Sequence, residues 1–310
     1  MADDALVALL CALDARAYDF VTPSPATHRR YLRRRGDRAA ASIRDVFGWS
    51  LPFPPDALPS DLFHLLLAGG GVAEEDSGLL RSRYRVSRVA EHLFLHSAFP
   101  TDDEAAVFLG PDTFRFVRFL KSAIDPRATR LVDMGAGTGA GAICCAALLP
   151  NARLTLVDAN PEALRLARIN AAAAGVRVET VEGNSLAAAE GHVDLVIANP
   201  PFIADDAGRV YRDGGDMLGA RVSLDWALEA AERLVGGGAL LLYTGSAIVE
   251  GRDALHEQLE RELPVRGCVL RYEEIDPDIF GEQLNSAAYA GAERIAAVGA
   301  TVRRLPYPAR

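Results

Sequence analysis

The sequence predicts an α/β protein: a parallel seven-stranded sheet layered with helices, preceded by a smaller helical and winged-helix-like domain. Three observations carry this reading. From Arg130 onward, apolar strand-like runs alternate with amphipathic helical stretches. A glycine-rich turn, Gly135 to Gly139, joins the first of those strands to a helix. The residues before them follow another order, helices first and short β-runs after.

In the N-terminal part, Ala5, Leu6, Leu9, Leu10 and Leu13 recur at helical spacing, and Ser24-Pro25 reads as a cap followed by proline at the first helical position. Leu51-Pro52-Phe53-Pro54-Pro55 is too proline-rich for regular structure. Ser60-Asp61 is expected to cap a short helix through Leu67 that stops at Gly69-Gly70-Gly71. Leu79 to Arg81, Tyr84 to Val89 and Leu93 to Leu95 read as strands separated by turns. These elements make a domain of residues 1–107, and 108–310 make the larger one. There the strands are expected at 131–134, 154–158, 176–181, 193–198, 239–244, 265–272 and 294–302, with helices ending at Leu149, spanning Pro161 to Ala174 and Ala220 to Leu234, and running through Glu262. No helix separates the last two strands, so they read as antiparallel neighbours.

Composition narrows the function. The 310 residues are 50% hydrophobic and 24% charged, an ordinary globular balance that excludes disordered and fibrous classes. The acidic start Met1-Ala2-Asp3-Asp4 lacks the positive charge of a secretory signal, and Ala142 to Leu149 is too short an apolar run to span a bilayer. The expected location is the cytoplasm, with no membrane partner. Cys11, Cys144, Cys145 and Cys268 show no paired spacing, and the six histidines show no ligand spacing, so no disulfide scaffold and no metal site is expected. Net charge is −9, and the excess acid lies in the larger domain, which disfavours a nucleic-acid partner. The basic run His28 to Arg35 reads as a solvated helix face.

Two motifs carry chemistry. Asp133-Met134-Gly135-Ala136-Gly137-Thr138-Gly139 lies where a first strand meets its helix, and Asp158 ends the second strand, where a carboxylate accepts from ribose hydroxyls. Together they indicate an adenosine-containing ligand. Ala140 breaks the dinucleotide GxGxxG spacing, which favours S-adenosylmethionine over a nicotinamide cofactor. The stronger motif is Asn199-Pro200-Pro201-Phe202, directly after the strand Asp194 to Ala198. Successive prolines fix the backbone, so the Asn199 amide and the Pro200 carbonyl aim two acceptors at one point. Two acceptors that grip an NH₂ group orient the lone pair of a delocalised nitrogen and stabilise the positive charge that develops on methylation. Phe202 supplies an apolar face for a planar acceptor.

On these residues the chain resembles the class I S-adenosylmethionine-dependent methyltransferases of the Asn-Pro-Pro-Phe branch over about residues 108–303. The resemblance implies a seven-stranded Rossmann-like methyltransferase sheet. It assigns donor binding to Asp133, Gly135, Ala136, Gly137, Gly139, Asp158, Ala159, Asn184, Ser185 and Asn199, with Asn184 near the adenine amine. It assigns the substrate clamp to Asn199, Pro200, Pro201 and Phe202. Two groups are similar: release-factor glutamine methyltransferases, through the loop Asp213-Gly214-Gly215-Asp216, and ribosomal-RNA guanine methyltransferases, which share Asn-Pro-Pro-Phe. The expected substrate is a protein glutamine amide first, a small-molecule amide, amine or guanidine second, and an RNA or DNA base third. In the loop after the clamp, Asp205, Asp206, Asp213 and Asp216 read as a solvated acidic stretch or as attraction for a cationic substrate. Phe108 to Thr113 reads as a linker turn or a fold over the cofactor. Two other classes use the same motifs: an NAD-dependent oxidoreductase, which leaves Asn199 to Phe202 unexplained, and a winged-helix regulator, which rests on Arg29 to Arg35.

Overall fold

The computed structural model describes residues 1–36, 38–101, 103, 105–189, 191, 193–204 and 213–306. The first elements in chain order are helices α1 (Ala2–Asp14), α2 (Pro25–Arg35), α3 (Ile43–Phe47) and α4 (Ser60–Ala68), then strands β1 (Val72–Glu74), β2 (Leu80–Ser82), β3 (Tyr84–Val89) and β4 (His92–Ser97). Next come α5 (Pro111–Ala123), β5 (Arg130–Met134), α6 (Ala140–Cys145), β6 (Arg153–Asp158), α7 (Pro161–Ala173), β7 (Glu179–Glu182) and β8 (Val193–Ala198). The chain closes with α8 (Arg221–Arg233), β9 (Leu234–Val249), β10 (Arg252–Asp253), α9 (Ala254–Glu262), β11 (Cys268–Asp276) and β12 (Arg294–Arg304). These fall into two compact units. One holds 1–114, 137–144 and 160–177; the other holds 115–136, 145–159 and 178–310.

In the first unit, Leu6, Leu9, Leu10 and Leu13 of α1 are buried, as their spacing requires, against Leu62 and Leu66 of α4 and Leu166 and Ile169 of α7. The Ser24 hydroxyl accepts from the Thr27 amide and Pro25 opens α2, so that cap forms as expected. The expected Ser60 cap does not form: Pro59 precedes the first turn of α4, and Ser60 itself is helical. The β-runs pair as two ribbons, β1 with β2 and β3 with β4. The strand β1 carries no alternation that marks it in the sequence. Arg29, Arg30, Arg33 and Arg34 lie on the exposed side of α2, whereas His28 is buried.

The second unit is built on one sheet in the order β11-β12-β9-β8-β5-β6-β7, with β10 beside β9. Strands β5 to β9 run parallel, and β12 pairs antiparallel with both β9 and β11, as the missing last crossover implies. Leu224, Ala227, Ala230 and Ala231 of α8 pack with Val132, Met134, Val196 and Ala198 in one apolar cluster. Several element bounds differ from expectation: α6 ends at Cys145, and β11 starts at Cys268 because Pro264–Arg266 form a 3-10 turn. Val176 does not start β7, because Gly175 takes φ +69 and the Val176 amide bonds back to Ala171, closing α7 first. β9 runs longer because Gly236 to Gly238 are absorbed in an irregular register beside β8. β11 continues past Tyr272 to Asp276 because Glu273 and Glu274 still pair with Gly299 and Val298.

Asn170 is a buried polar residue that stitches the first unit. Its Oδ1 accepts from the Leu95 amide at 2.7 Å, and its Nδ2 donates to the carbonyls of Leu95 at 3.1 Å and Thr138 at 3.0 Å. Asn170→Ala strands a buried N–H and two carbonyls, so the variant should lose about 2–4 kcal/mol of stability. A urea midpoint that stays at the wild-type value shows these bonds to be dispensable.

Candidate functional site

The site is built at the carboxyl ends of the parallel strands. β5 is the first strand of the sheet, and its neighbours β6 and β8 lie on opposite sides, so the chain order reverses there. Open α/β sheets bind ligands at such a reversal, where the loops diverge and leave a crevice. Register fixes what meets there. Met134 pairs with Ala198 and with Val157, and Asp158 pairs with Glu182. Gly135, Asn199, Asp158 and Gly183 therefore stand at one edge of one sheet.

Gly135, Gly137 and Gly139 all take positive φ, at +68°, +53° and +76°. A side chain is strained at such angles, and at Gly135 a Cβ meets the Trp226 ring at 2.7 Å. The amides of Gly135 and Ala136 both donate to the Val157 carbonyl, at 2.8 and 3.1 Å. These two donors are spent inside the fold. Asp133 is buried, Asp158 and Ser185 are half-buried, and Ala159 and Asn184 are exposed. The Ser185 hydroxyl accepts from the Ala187 amide, which turns the chain after β7.

The clamp follows β8 without a break. Pro200 is buried, and Asn199 and Pro201 are half-buried. Asn199 Oδ1 is a buried oxygen with no hydrogen-bond partner. Most buried polar atoms are paired, so an orphaned acceptor at a strand end points to a donor supplied from outside the chain. Phe202 is only 7% exposed; its ring meets Phe280 edge-on at 5.6 Å. It therefore forms a wall more than an open stacking face.

Three glycines make room for this segment. A Cβ on Gly245 of β9 meets the Phe202 ring at 2.4 Å, one on Gly219 meets the Phe202 carbonyl oxygen at 2.4 Å, and one on Gly214 meets the Gly219 oxygen at 1.8 Å. The Gly214 amide donates to the Ile203 carbonyl at 2.8 Å. Asp213-Gly214-Gly215-Asp216 thus lies against the clamp backbone, and the Asp213 carboxylate accepts from the Gly215 amide. Tyr289 closes the arrangement: its buried hydroxyl accepts from the Ala204 amide at 2.9 Å and donates to the Leu218 carbonyl at 3.1 Å. Asp205 and Asp206 lie outside the described residues. Phe108 to Thr113 is a turn into α5, with the Thr113 amide donating to the Gly110 carbonyl. Among the described residues, no cluster of histidine, cysteine, aspartate or glutamate is able to hold a metal, and no helix is long and apolar enough to cross a membrane.

Sequence reasoning missed Tyr289, Phe280, Gly219 and Gly245. Each acts through tertiary contact, and only the spacing of glycines in the Asp213 loop hinted at a close approach.

Known proteins are similar to this chain in sequence and in fold. Residues 113–260 match the family described as methyltransferase small domain. A release factor glutamine methyltransferase of Deinococcus radiodurans is 38% identical over 164 residues, 50% of this chain and 55% of that protein. Another, of Moorella thermoacetica, is 30% identical over 197 residues, 59% of this chain and 66% of that protein. The chain spans about half the length of the curated relatives it matches. Among solved structures, a putative transferase of Pyrococcus horikoshii superposes with a TM-score of 0.50 at 13% identity, covering 87% of this chain and 90% of that one. The expected Rossmann-like methyltransferase fold therefore stands, as does the resemblance read from the motifs.

Tyr289→Phe removes both bonds that pin the loop after the clamp. In a hydrogen-exchange measurement the Ala204 amide should exchange about tenfold faster or more, while amides of β5 and β8 keep their protection. An unchanged Ala204 rate means that the loop is held by other contacts.

Proposed function

We propose, from the match of residues 113–260 to the methyltransferase small domain, that this chain transfers a methyl group from S-adenosylmethionine to a planar, weakly nucleophilic nitrogen, with a protein glutamine amide as the first-ranked acceptor. The observation that carries the proposal is the orphaned, buried Oδ1 of Asn199 at the end of β8. The residues at the sheet edge suit the donor: Gly135 turns the backbone with φ +68° at the end of β5, and Asp158 places a half-buried carboxylate at the end of β6. Asp133, Gly135, Ala136, Gly137, Gly139, Asp158, Ala159, Asn184 and Ser185 would hold it. When bound, S-adenosylmethionine supplies an electrophilic methyl group.

The chain's own part is orientation. An amide nitrogen is a poor nucleophile because its lone pair is delocalised into the carbonyl. Asn199 Oδ1 and the Pro200 carbonyl accept its two N–H bonds, which turns the lone pair toward the methyl group. The same acceptors stabilise the positive charge that grows on nitrogen, and a fixed dipole does so without reorganising at the moment of reaction. The stiff Pro200-Pro201 pair and the bonds of Tyr289 keep these acceptors in place. Phe202 walls the pocket with apolar surface.

Glutamine ranks first because relatives 38% and 30% identical to this chain carry release factor glutamine methyltransferase as their name. A small-molecule amide, amine or guanidine ranks second. A nucleic-acid base ranks third, since a chain of net charge −9 repels a phosphate backbone. In this reading residues 108–310 carry the catalytic motifs, 1–107 are the N-terminal domain, whose core takes in α7, and the reaction takes place in the cytoplasm.

Calorimetric titration with S-adenosylmethionine, S-adenosylhomocysteine and NAD tests the donor: the first two should bind, and Asp158→Ala should abolish both. Asn199→Ala should keep donor affinity and lose on the order of 10²–10³ in turnover on a glutamine-bearing release-factor peptide. Binding of NAD alone overturns the donor assignment, and undiminished turnover in Asn199→Ala overturns the clamp. An affinity for RNA that falls steeply with salt would reverse the substrate ranking.

A further inference from the structure

The first unit buries a charge that no carboxylate among the described residues balances. Arg85 of β3 is 3% exposed. Its Nε donates to the Gly48 carbonyl at 3.0 Å, its guanidinium lies 5.6 Å from the Phe20 ring centroid, and its Nη2 is buried without a partner. No carboxylate among the described residues pairs with it. Two other arginines with a buried, unbonded guanidinium nitrogen do have one: Arg35 lies 3.2 Å from Asp45, and Arg266 lies 2.9 Å from Glu262.

Two further orphaned atoms sit beside Arg85. His28 and His96 are 0% and 1% exposed, and the Nδ1 of each is buried with no hydrogen bond. All three side chains line one small cavity of about 10 Å³, together with Thr22, Phe99 and Phe108. That is room for one water-sized particle. A single water in the cavity satisfies hydrogen bonds but leaves the guanidinium charge uncompensated. Burial pushes the Arg85 pKa down only to about 10, so the group stays charged at neutral pH.

From this cluster we infer that the N-terminal unit holds a single small monovalent anion of halide class in the cavity between Arg85, His96 and His28. Arg85 Nη2 donates one bond. The tautomer assigned to His96 supplies a second: the Ser87 hydroxyl lies 2.9 Å from His96 Nε2 and is itself bonded to Thr22, and with Thr22 donating to Ser87 and Ser87 to Nε2 the ring proton is on Nδ1. His28 Nε2 lies 3.1 Å from the Trp49 carbonyl and donates to it, so its Nδ1 becomes a donor only on taking up a proton. The anion thereby neutralises the buried guanidinium and joins α2, β3 and β4 of this unit.

The test is the melting temperature of the full chain in chloride, bromide, formate or sulfate, with ionic strength held constant by sodium gluconate. Chloride and bromide should give a saturable rise on the order of 2–4 °C. Arg85→Met should abolish that rise, and His96→Gln should weaken it. A rise with chloride that persists in Arg85→Met, or no rise at all, overturns the proposal. Should Arg85→Met fail to fold, a bromide-soaked crystal of the unaltered chain decides: an anomalous peak beside Nη2 supports the site, and a water there refutes it. A response to formate but not to halide refutes the halide assignment.

Discussion

The register between β5 and β8 is the constraint on which the rest of the second unit depends. Met134 opposite Ala198 makes two strands end together, and each then turns into a loop whose backbone is unlike ordinary strand or helix. One loop needs three left-handed glycines, and the other needs two prolines. A slip of one residue in this pair turns every side chain to the opposite face. It would carry Asn199 away from the edge and separate the clamp from Gly135. The apolar cluster of Val132, Met134, Val196 and Ala198 beneath α8 makes such a slip costly, because it drags buried side chains out with it. Core packing therefore sets the geometry of the site as well as stabilising the sheet.

Close packing around Phe202 extends this constraint. Gly214, Gly219 and Gly245 come from the loop before α8 and from β9, yet each lacks a side chain for one shared reason: the clamp segment occupies that space. A segment of two prolines has little freedom to move aside, so the neighbours must yield volume instead. Tyr289 then supplies the polar counterpart, tying the amide of Ala204 and the carbonyl of Leu218 through one hydroxyl. Rigid backbone, vacated volume and a shared hydroxyl together hold an acceptor where its partner is absent.

Much of this was legible in the sequence where chemistry and local structure coincide. Asp133 to Gly139, Asp158 and Asn199 to Phe202 stand at strand ends because short apolar runs stop there, and both signals are local. The antiparallel last pair followed from a missing helix between Val265 and Val302. Partners distant in sequence left no such mark. Gly245 stands just past the strand expected at 239–244, and Tyr289 reads as a loop aromatic. In β3 the alternation Tyr84-Arg85-Val86-Ser87 suggests one solvated face, but all four residues are buried. The strand is covered on both sides, and periodicity alone does not reveal a second layer. Likewise α7 lies in the chain between β6 and β7, yet Leu166 and Ile169 pack into the core of the first unit.

Asn199 and Arg85 present the same kind of deficit with different consequences. Leaving a neutral acceptor unpaired costs about 1–3 kcal/mol, which a stable sheet tolerates. Such a group is inexpensive to keep ready, and filling it selectively at the moment of reaction lowers a barrier. A buried guanidinium without a counter-charge costs several times more and persists whether or not substrate is present. A deficit of that size presses on the folded state itself. Under the proposed function, the unpaired oxygen at the strand edge bears on turnover, whereas under the proposed anion site the buried guanidinium bears on folding.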